Sequence, residues 1–306
     1  MKCVTRRNFT FRYLAPVLLM ALILLSGCSR GAEAASTTAD APDARRAIQN
    51  KGSDTLVNLA LAWAERYWEI NPEVAIAVTG GGSGTGIAAL INGTVDIANA
   101  SRQMKEDEVE AAKANGITPV EFLVALDALA VVVHPDNPAS KLTIGQLADI
   151  FTGRVTNWQE VGGNDAPIIL LSRETNSGTH VYFLEEVVRQ GDKNNKDIFA
   201  PQTLLMPSSV GITSELRRNP NAIGYDGLGY VTKHEKVIAV AKDENSPYIL
   251  PTVETGADGS YPISRGLYMY TANEPDGVIA DYLNWIRGAE GQAIVAKLGF
   301  VPLPQE

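Results

Sequence analysis

Cysteine is almost missing from this chain. There are two among 306 residues, Cys3 and Cys28. Everything after Cys28 is therefore without a disulfide, a cysteine nucleophile or a thiolate metal site. Histidine is sparse too. His134, His180 and His234 form no ligand-spaced pair, so neither a metal centre nor any other cofactor is expected. Positive charge is in deficit, with 26 Lys and Arg against 35 Asp and Glu and a net charge of −9. Nucleic acid needs a basic face, so it is not expected as a partner. Nucleotide signatures are missing as well. The glycine run at 80–86 has no Gly-Lys-[Ser/Thr] and does not keep the G-x-G-x-x-G spacing. Ser83 is not in G-x-S-x-G, because Thr85 stands where the last glycine would be.

What is present begins with an export-like start. Lys2, Arg6, Arg7 and Arg12 precede an apolar run of 12 residues, Leu14 to Leu25. That is short for a spanning helix, which needs ~20. The run ends in Leu25-Ser26-Gly27-Cys28, the pattern of a lipobox. Residues 1–27 are then a lipoprotein signal and Cys28 the lipidation site, although an ordinary signal peptide ending near a cysteine reads the same way. Acyl chains can hold a protein at a membrane surface without a spanning helix. Thr5-Arg6-Arg7-Asn8-Phe9 also fits a twin-arginine export motif or a plain basic start, and both stay open. Losing residues 1–27 removes four positive charges and no acid, which takes −9 to −13. An anion would have to be held by local donors against that field. Residues 28–45 are small, polar and aperiodic, and read as a flexible tether.

From Ala47 short apolar strands alternate with amphipathic helices. Strands are expected at Ala47–Lys51, Val74–Val78, Val95–Ala98, Ile168–Leu171 and Ala222–Tyr225. Helices are expected at Thr55–Ile70, Gly86–Asn92, Glu106–Asn115, Thr143–Phe151, Thr179–Arg189 and Thr213–Arg218, with two closing helices in Val278–Lys297. Leu56, Leu59, Trp63 and Tyr67 form one stripe, read as core packing. This order predicts an α/β fold with a parallel or mixed sheet between helices. Two further apolar stretches, Val124–His134 and Pro262–Tyr270, read as buried strands or as segments crossing between two domains.

Three loops rich in Gly, Ser and Thr follow strands and open helices. They are Gly52-Ser53-Asp54-Thr55, then residues 80–86, then Ser172-Arg173-Glu174-Thr175-Asn176-Ser177-Gly178-Thr179. A helix start offers unpaired N–H groups and the positive end of a dipole. Glycine permits close backbone approach and hydroxyls add adjustable donors. Such loops make anion sites at the carboxyl ends of strands. Each alone is equally a set of helix caps. Together, with Arg173 able to engage two oxygens of an oxyanion, they point to anion binding. Asp54 is either an N-cap or an acceptor for a proton carried by the anion, which would separate phosphate from sulfate. His180, beside the third loop, is read as a helix residue rather than a general base.

Several segments resemble the phosphate-binding lipoproteins of bacterial Pst-type ABC transporters. Asn50-Lys51-Gly52-Ser53-Asp54-Thr55-Leu56 resembles their opening loop and Gly82-Ser83-Gly84-Thr85-Gly86 their second. Asp96-Ile97-Ala98-Asn99-Ala100-Ser101-Arg102 is similar to the segment after their third strand. Gln146-Leu147-Ala148-Asp149-Ile150-Phe151-Thr152-Gly153 with Asn157-Trp158 resembles a helix and turn of the second domain. Arg173-Glu174-Thr175-Asn176-Ser177-Gly178-Thr179 resembles the central anion motif, and its Arg-x-x-x-Ser-Gly-Thr spacing is the most specific element. Glu290-Gly291-Gln292-Ala293-Ile294-Val295 and Gly299-Phe300-Val301-Pro302-Leu303 resemble the closing helix and tail. The likeness runs from Gln49 to Leu303.

The resemblance implies a two-domain periplasmic-binding-protein fold, each domain a mixed sheet flanked by helices, with the ligand in the cleft between them. The chain crosses twice, giving domain I as 46–127 with 263–306 and domain II as 128–262. It implies capture of inorganic phosphate outside the cell membrane and delivery to ABC permease subunits, by a lipid-anchored protein with no enzymatic activity. A monomer is expected. Ser53, Thr55, Ser83, Ser101, Arg173, Ser177, Gly178 and Thr179 would contact phosphate, with Asp54 and Arg102 also counted at the site. Some members carry an aspartate after the third strand, where this chain has Ser101-Arg102. Arg102 is then a second cation or a rim ion pair. Other readings are a binding protein for sulfate or molybdate, a surface phosphate sensor, and, further off, a secreted phosphatase.

Overall fold

A computed structural model describes residues 47–304, which belong to one compact unit. The expected export signal, Cys28 and the tether lie outside the described residues. The chain opens with β1 (Ile48–Gly52), a 3₁₀ turn at Asp54–Leu56, and α1 (Val57–Ile70). The expected stripe is the reason α1 sits where it does: Leu56, Leu59, Trp63 and Tyr67 are all buried, and the Trp63 indole donates to the Gly291 carbonyl at 2.8 Å. There follow β2 (Ile76–Thr79), α2 (Ser83–Ile91), β3 (Ile97–Ala100) and α3 (Glu106–Ala114). Then come β4 (Val120–Val133), β5 (Lys141–Thr143) and α4 (Ile144–Phe151). Helix α4 starts at a reciprocal cap: Gln146 N–H donates to Thr143 Oγ1 at 3.1 Å, and Thr143 N–H to Gln146 Oε1 at 2.9 Å.

The second part of the chain forms β6 (Ile169–Arg173), α5 (Gly178–Phe183), β7 (Leu204–Met206), α6 (Ser209–Leu216) and β8 (Ala222–Gly227). Helix α5 runs on into a π turn at Leu184–Val188. Short strands β9 (Lys236–Val237) and β10 (Ala239–Ala241) and helix α7 (Val253–Ala257) lead to β11 (Ser264–Thr271), α8 (Gly277–Arg287) and α9 (Ala289–Lys297).

The main sheet has the order β2-β1-β3-β11-β4-β8-β6-β7, with β9 also on β4, while β10 and β5 pair separately. Pairing is parallel at both ends (β1 with β2 and β3, β6 with β7 and β8) and antiparallel in the middle, at β11 and β4. The mixed sheet expected from the alternation of elements is present. Strand β4 changes partner midway. Val120 to Ala128 pair with β11, and Leu129 to Val133 pair with β8. Around the first stretch sits a core of Leu59, Trp63, Ile97, Val124, Met269, Tyr282 and Phe300. Around the second sits another, of Phe151, Trp158, Phe183, Ile223 and Tyr225. Alternate residues of β4 serve opposite faces, Val131 and Val133 in one cluster and Ala130 and Val132 in another.

Several boundaries differ from expectation, each for a local reason. Helix α2 begins at Ser83 rather than Gly86, because Gly82, at φ +91°, turns the chain directly into it. Helix α6 begins four residues early, at Ser209, where the Ser208 hydroxyl accepts the Gly211 N–H at 3.1 Å. Strand β6 extends through Arg173, so that side chain leaves the sheet itself and not the loop. The short strands β5, β7, β9 and β10 carry too few residues for a period to show.

Candidate functional site

The three polar loops, which follow β1, β2 and β6, meet at one place beside the carboxyl end of β3. The first loop is seated on the sheet by glycine. A Cβ at Gly52 would lie 2.1 Å from the Asn99 carbonyl oxygen, and the residue has φ +147°. With that close approach, Ser53 N–H donates to Asn99 O at 2.8 Å, and Gly82 N–H donates to Gly52 O at 3.0 Å. The Ser101 N–H donates to Ser83 Oγ at 3.0 Å, and the two serine hydroxyls are 3.3 Å apart. Ser53, Thr55, Ser83 and Ser101 are all buried.

The third loop closes on them from the other half of the sheet. Thr179 Oγ1 is 2.9 Å from Thr55 Oγ1. A Cβ at Gly178 would lie 2.3 Å from Ser83 Oγ and 2.6 Å from Ser101 Oγ, so only a glycine lets the backbone come so near those hydroxyls. Ser177 caps α5: its Oγ accepts the N–H of Thr179 at 3.2 Å and of His180 at 3.5 Å. Its hydroxyl hydrogen is therefore directed elsewhere. Asn176 fastens the second loop, donating from Nδ2 to Gly81 O at 2.9 Å and accepting at its carbonyl from Gly84 N–H at 3.0 Å.

The charged residues are arranged in pairs. Arg173 donates from Nη2 to Asp54 Oδ2 at 3.0 Å and to Pro207 O at 3.1 Å, from Nη1 to Ser209 Oγ at 3.1 Å, and from Nε to Met206 O at 3.3 Å. Most of its donors thus face protein groups. Asp54 does not cap the helix that follows it. Its Oδ2 accepts from Arg173 and from the Ser209 N–H at 3.0 Å, so it caps α6 from a segment 155 residues earlier in the chain. Arg102 is buried; it grips Glu108 with both terminal nitrogens at 2.7 Å and donates to Gln103 O, while its Nε has no partner.

Four residues to which the sequence reading gave no role join the site. Asp127 on β4 and Arg265 on β11 face each other in register, with Nη2–Oδ2 at 2.8 Å, and both are buried. Ser209 links Arg173 to Asp226, donating from Oγ to Asp226 Oδ1 at 2.8 Å. Asp226 is wholly buried and its Oδ2 has no partner. Burial pushes its carboxyl up to about 7, against the pull of the nearby Arg173 charge. A signal existed for two of them: Asp127 and Arg265 are lone charges inside apolar strands.

His180 is turned away from this cluster. Its Nδ1 is 3.1 Å from Ser172 Oγ, which bonds the Tyr225 hydroxyl, and burial holds the imidazole below its ordinary range. That chain ends in the core, with no acyl or phosphoryl position between its members. No group of His, Cys, Asp and Glu among the described residues could hold a metal ion.

Known proteins resemble this chain in sequence and fold. Residues 32–290 match the family described as the PBP superfamily domain. The phosphate-binding protein PstS of Pseudomonas aeruginosa is 36% identical over 274 residues, covering 84% of this chain and 83% of that protein. PstS of Bacillus subtilis is 30% identical over 294 residues, covering 94% and 93%. A phosphate ABC transporter substrate-binding protein of Clostridium perfringens, solved with phosphate bound, superposes with a TM-score of 0.76 at 32% identity, over 85% of this chain and 100% of that one. With its curled mixed sheet, flanking helices and three converging strand-end loops, the chain belongs to the PBP superfamily of substrate-binding proteins, and its relatives there are binding proteins rather than enzymes.

Proposed function

We propose that this protein captures inorganic phosphate outside the cell membrane and delivers it to the permease of an ABC importer. The observation that carries the reading is the convergence of Thr55, Ser83 and Ser101 with Gly178 and Thr179, all hydroxyl or close-backbone positions, at strand ends. The likeness to a substrate-binding protein solved with phosphate supports the ligand. In this reading residues 46–127 with 263–306 form one lobe and 128–262 the other, with the partner change in β4 as the crossing. Ser53, Thr55, Ser83, Ser101, Ser177, Gly178 and Thr179 contact the anion. Arg173 supplies charge from one side, and Asp54 and Arg102 hold the walls. Among the described residues no helix is long and apolar enough to cross a membrane. Attachment is through acylated Cys28, with residues 28–45 as the tether, and the protein acts as a monomer.

A second reading keeps the role and widens the ligand to sulfate or molybdate. The observation favouring it is that Asp54 Oδ2 is engaged by Arg173 and Ser209, away from the task of accepting a ligand proton. Calorimetric titration of the ligand-stripped protein separates the two. Tight one-to-one phosphate binding with no response to sulfate supports phosphate transport. Equal binding of sulfate makes the protein a general oxyanion carrier, and no binding of either overturns both.

A further inference from the structure

The pair Asp127–Arg265 is costly where it stands. Two apolar side chains of similar size would join β4 and β11 as well or better, because both charges lose their water. Asp127 is 0% exposed and the Arg265 side chain 2%. Strands need no such pair to lie side by side. Its use lies in what the guanidinium reaches.

Arg265 is rooted in β11, beside the point where β4 changes partner. Its Nε and Nη2 donate to Asp127 Oδ2 at 3.1 and 2.8 Å. Its Nη1 donates to the Ser101 carbonyl at 3.2 Å. Its Nη2 also reaches Thr179 Oγ1 at 3.1 Å and, at the limit of range, Thr55 Oγ1 at 3.5 Å. The Tyr182 ring lies 5.6 Å from the guanidinium carbon. Ser101 and Thr55 belong to one wall of the cleft, Thr179 and Tyr182 to the other. One side chain held on a joining strand thus touches both walls.

Counting hydrogens shows what this does. Thr55 and Thr179 each have one hydroxyl hydrogen, and one of the two is spent between them. The arginine donates, so the oxygens it touches must accept. The second hydrogen is left to point away from both. This corner therefore presents one free hydroxyl hydrogen to a ligand oxygen and keeps one lone pair that can still accept. Parting of the walls breaks the arrangement, since Arg265 cannot keep Ser101 and Thr179 together in an open cleft.

We infer that Arg265, buttressed by Asp127, is a positioning residue that couples anion capture to closure of the cleft. The inference rests on the oxyanion-binding reading above. Neither residue needs to touch the ligand for this role.

The test uses the full chain and inorganic phosphate. Arg265→Met with Asp127→Leu replaces the pair by apolar side chains and leaves no buried charge unpaired. Calorimetry gives affinity. Spin labels at Glu110→Cys and Lys193→Cys, exposed on opposite sides of the cavity of about 1110 Å³ that reaches Arg265, give the distance between walls. Cys3 and Cys28 are changed to Ser for that measurement. The expected result is a native melting temperature, affinity lower by about tenfold or more, the scale of one lost charge-assisted hydrogen bond, and incomplete shortening of the label distance at saturating phosphate. Native affinity with full shortening overturns the inference. Should the double variant not fold, Arg265→Lys keeps the charge beside Asp127 but cannot span Ser101 and Thr179. Weakened binding and closure there support the role, and native behaviour refutes it. If the unaltered protein binds neither phosphate nor sulfate, the binding reading fails first, and this inference with it.

Discussion

Asp54 and Arg173 join the first and third polar loops, Oδ2 to Nη2 at 3.0 Å, and the same carboxylate oxygen caps α6 through Ser209. A carboxylate so placed acts as a clasp between the first loop and the segments that carry Arg173 and Ser209. Asp54→Asn keeps an oxygen for the Ser209 amide and loses the charge. Phosphate affinity should fall by about three- to tenfold, the scale of one partly exposed ion pair. The ratio of phosphate to sulfate affinity should stay as it was. Titration with both anions checks this, and a collapsed ratio would restore Asp54 as the acceptor of the ligand's proton.

Two glycines separate folding from binding. At Gly178 a Cβ meets the tips of Ser83 and Ser101, which can rotate aside. Gly178→Ala should therefore melt within a few degrees of native and yet lose phosphate binding by about a hundredfold or more, through displaced donors. At Gly52 the Cβ meets backbone, and φ is +147°. Gly52→Ala should destabilise the fold itself, by about 2 kcal/mol or more. Thermal melts and calorimetry on both variants give the contrast.

Asp226 makes stability depend on pH. Its carboxyl is pushed up to about 7 from an ordinary 3.8. The folded state keeps a proton that the unfolded chain gives up, so stability falls as pH rises from about 4 to about 7 and stays low above that. Arg173 faces the group and lowers this cost, while Asp127 adds to it. Asp226→Asn removes the titration. It should change the melting temperature little below about pH 4 and raise it at pH 8, by an amount on the order of a few kcal/mol in stability.

Arg102 should prove dispensable for the ligand. Its terminal nitrogens are held by Glu108 at 2.7 Å. Arg102→Gln is expected to change phosphate affinity by less than about threefold, the range of a paired charge acting at a distance. A thirtyfold loss would make it a ligand-bearing cation after all.

How much of this could be read from the chain depends on the kind of pattern. The α1 stripe was legible because it repeats at helical spacing, and the three loops because Gly, Ser and Thr before a helix have a local meaning. Arg173 was legible as a cation at the third loop, but not its partners. Asp54, Ser209 and Asp226 reach it from segments distant in sequence, and only the folded sheet brings them together. Asp127 and Arg265 stood in plain view as charges inside apolar strands. Their significance lay in a strand register between positions 138 residues apart, which no local spacing encodes.

The partner change within β4 has a consequence for the order in which the protein can form. The core beside its first stretch combines Leu59, Trp63 and Ile97 with Met269, Tyr282 and Phe300, drawn from the two ends of the described chain. The core beside its second stretch uses only residues from Ala128 to Ile263. During synthesis the middle of the chain has everything it needs to consolidate while the beginning is still waiting for the end. Residues near the start remain open to chaperones or proteases until the last strand and helices are made. A ribosome that stops short of α8 therefore leaves behind a half-finished molecule in which the part made first is the part unfolded.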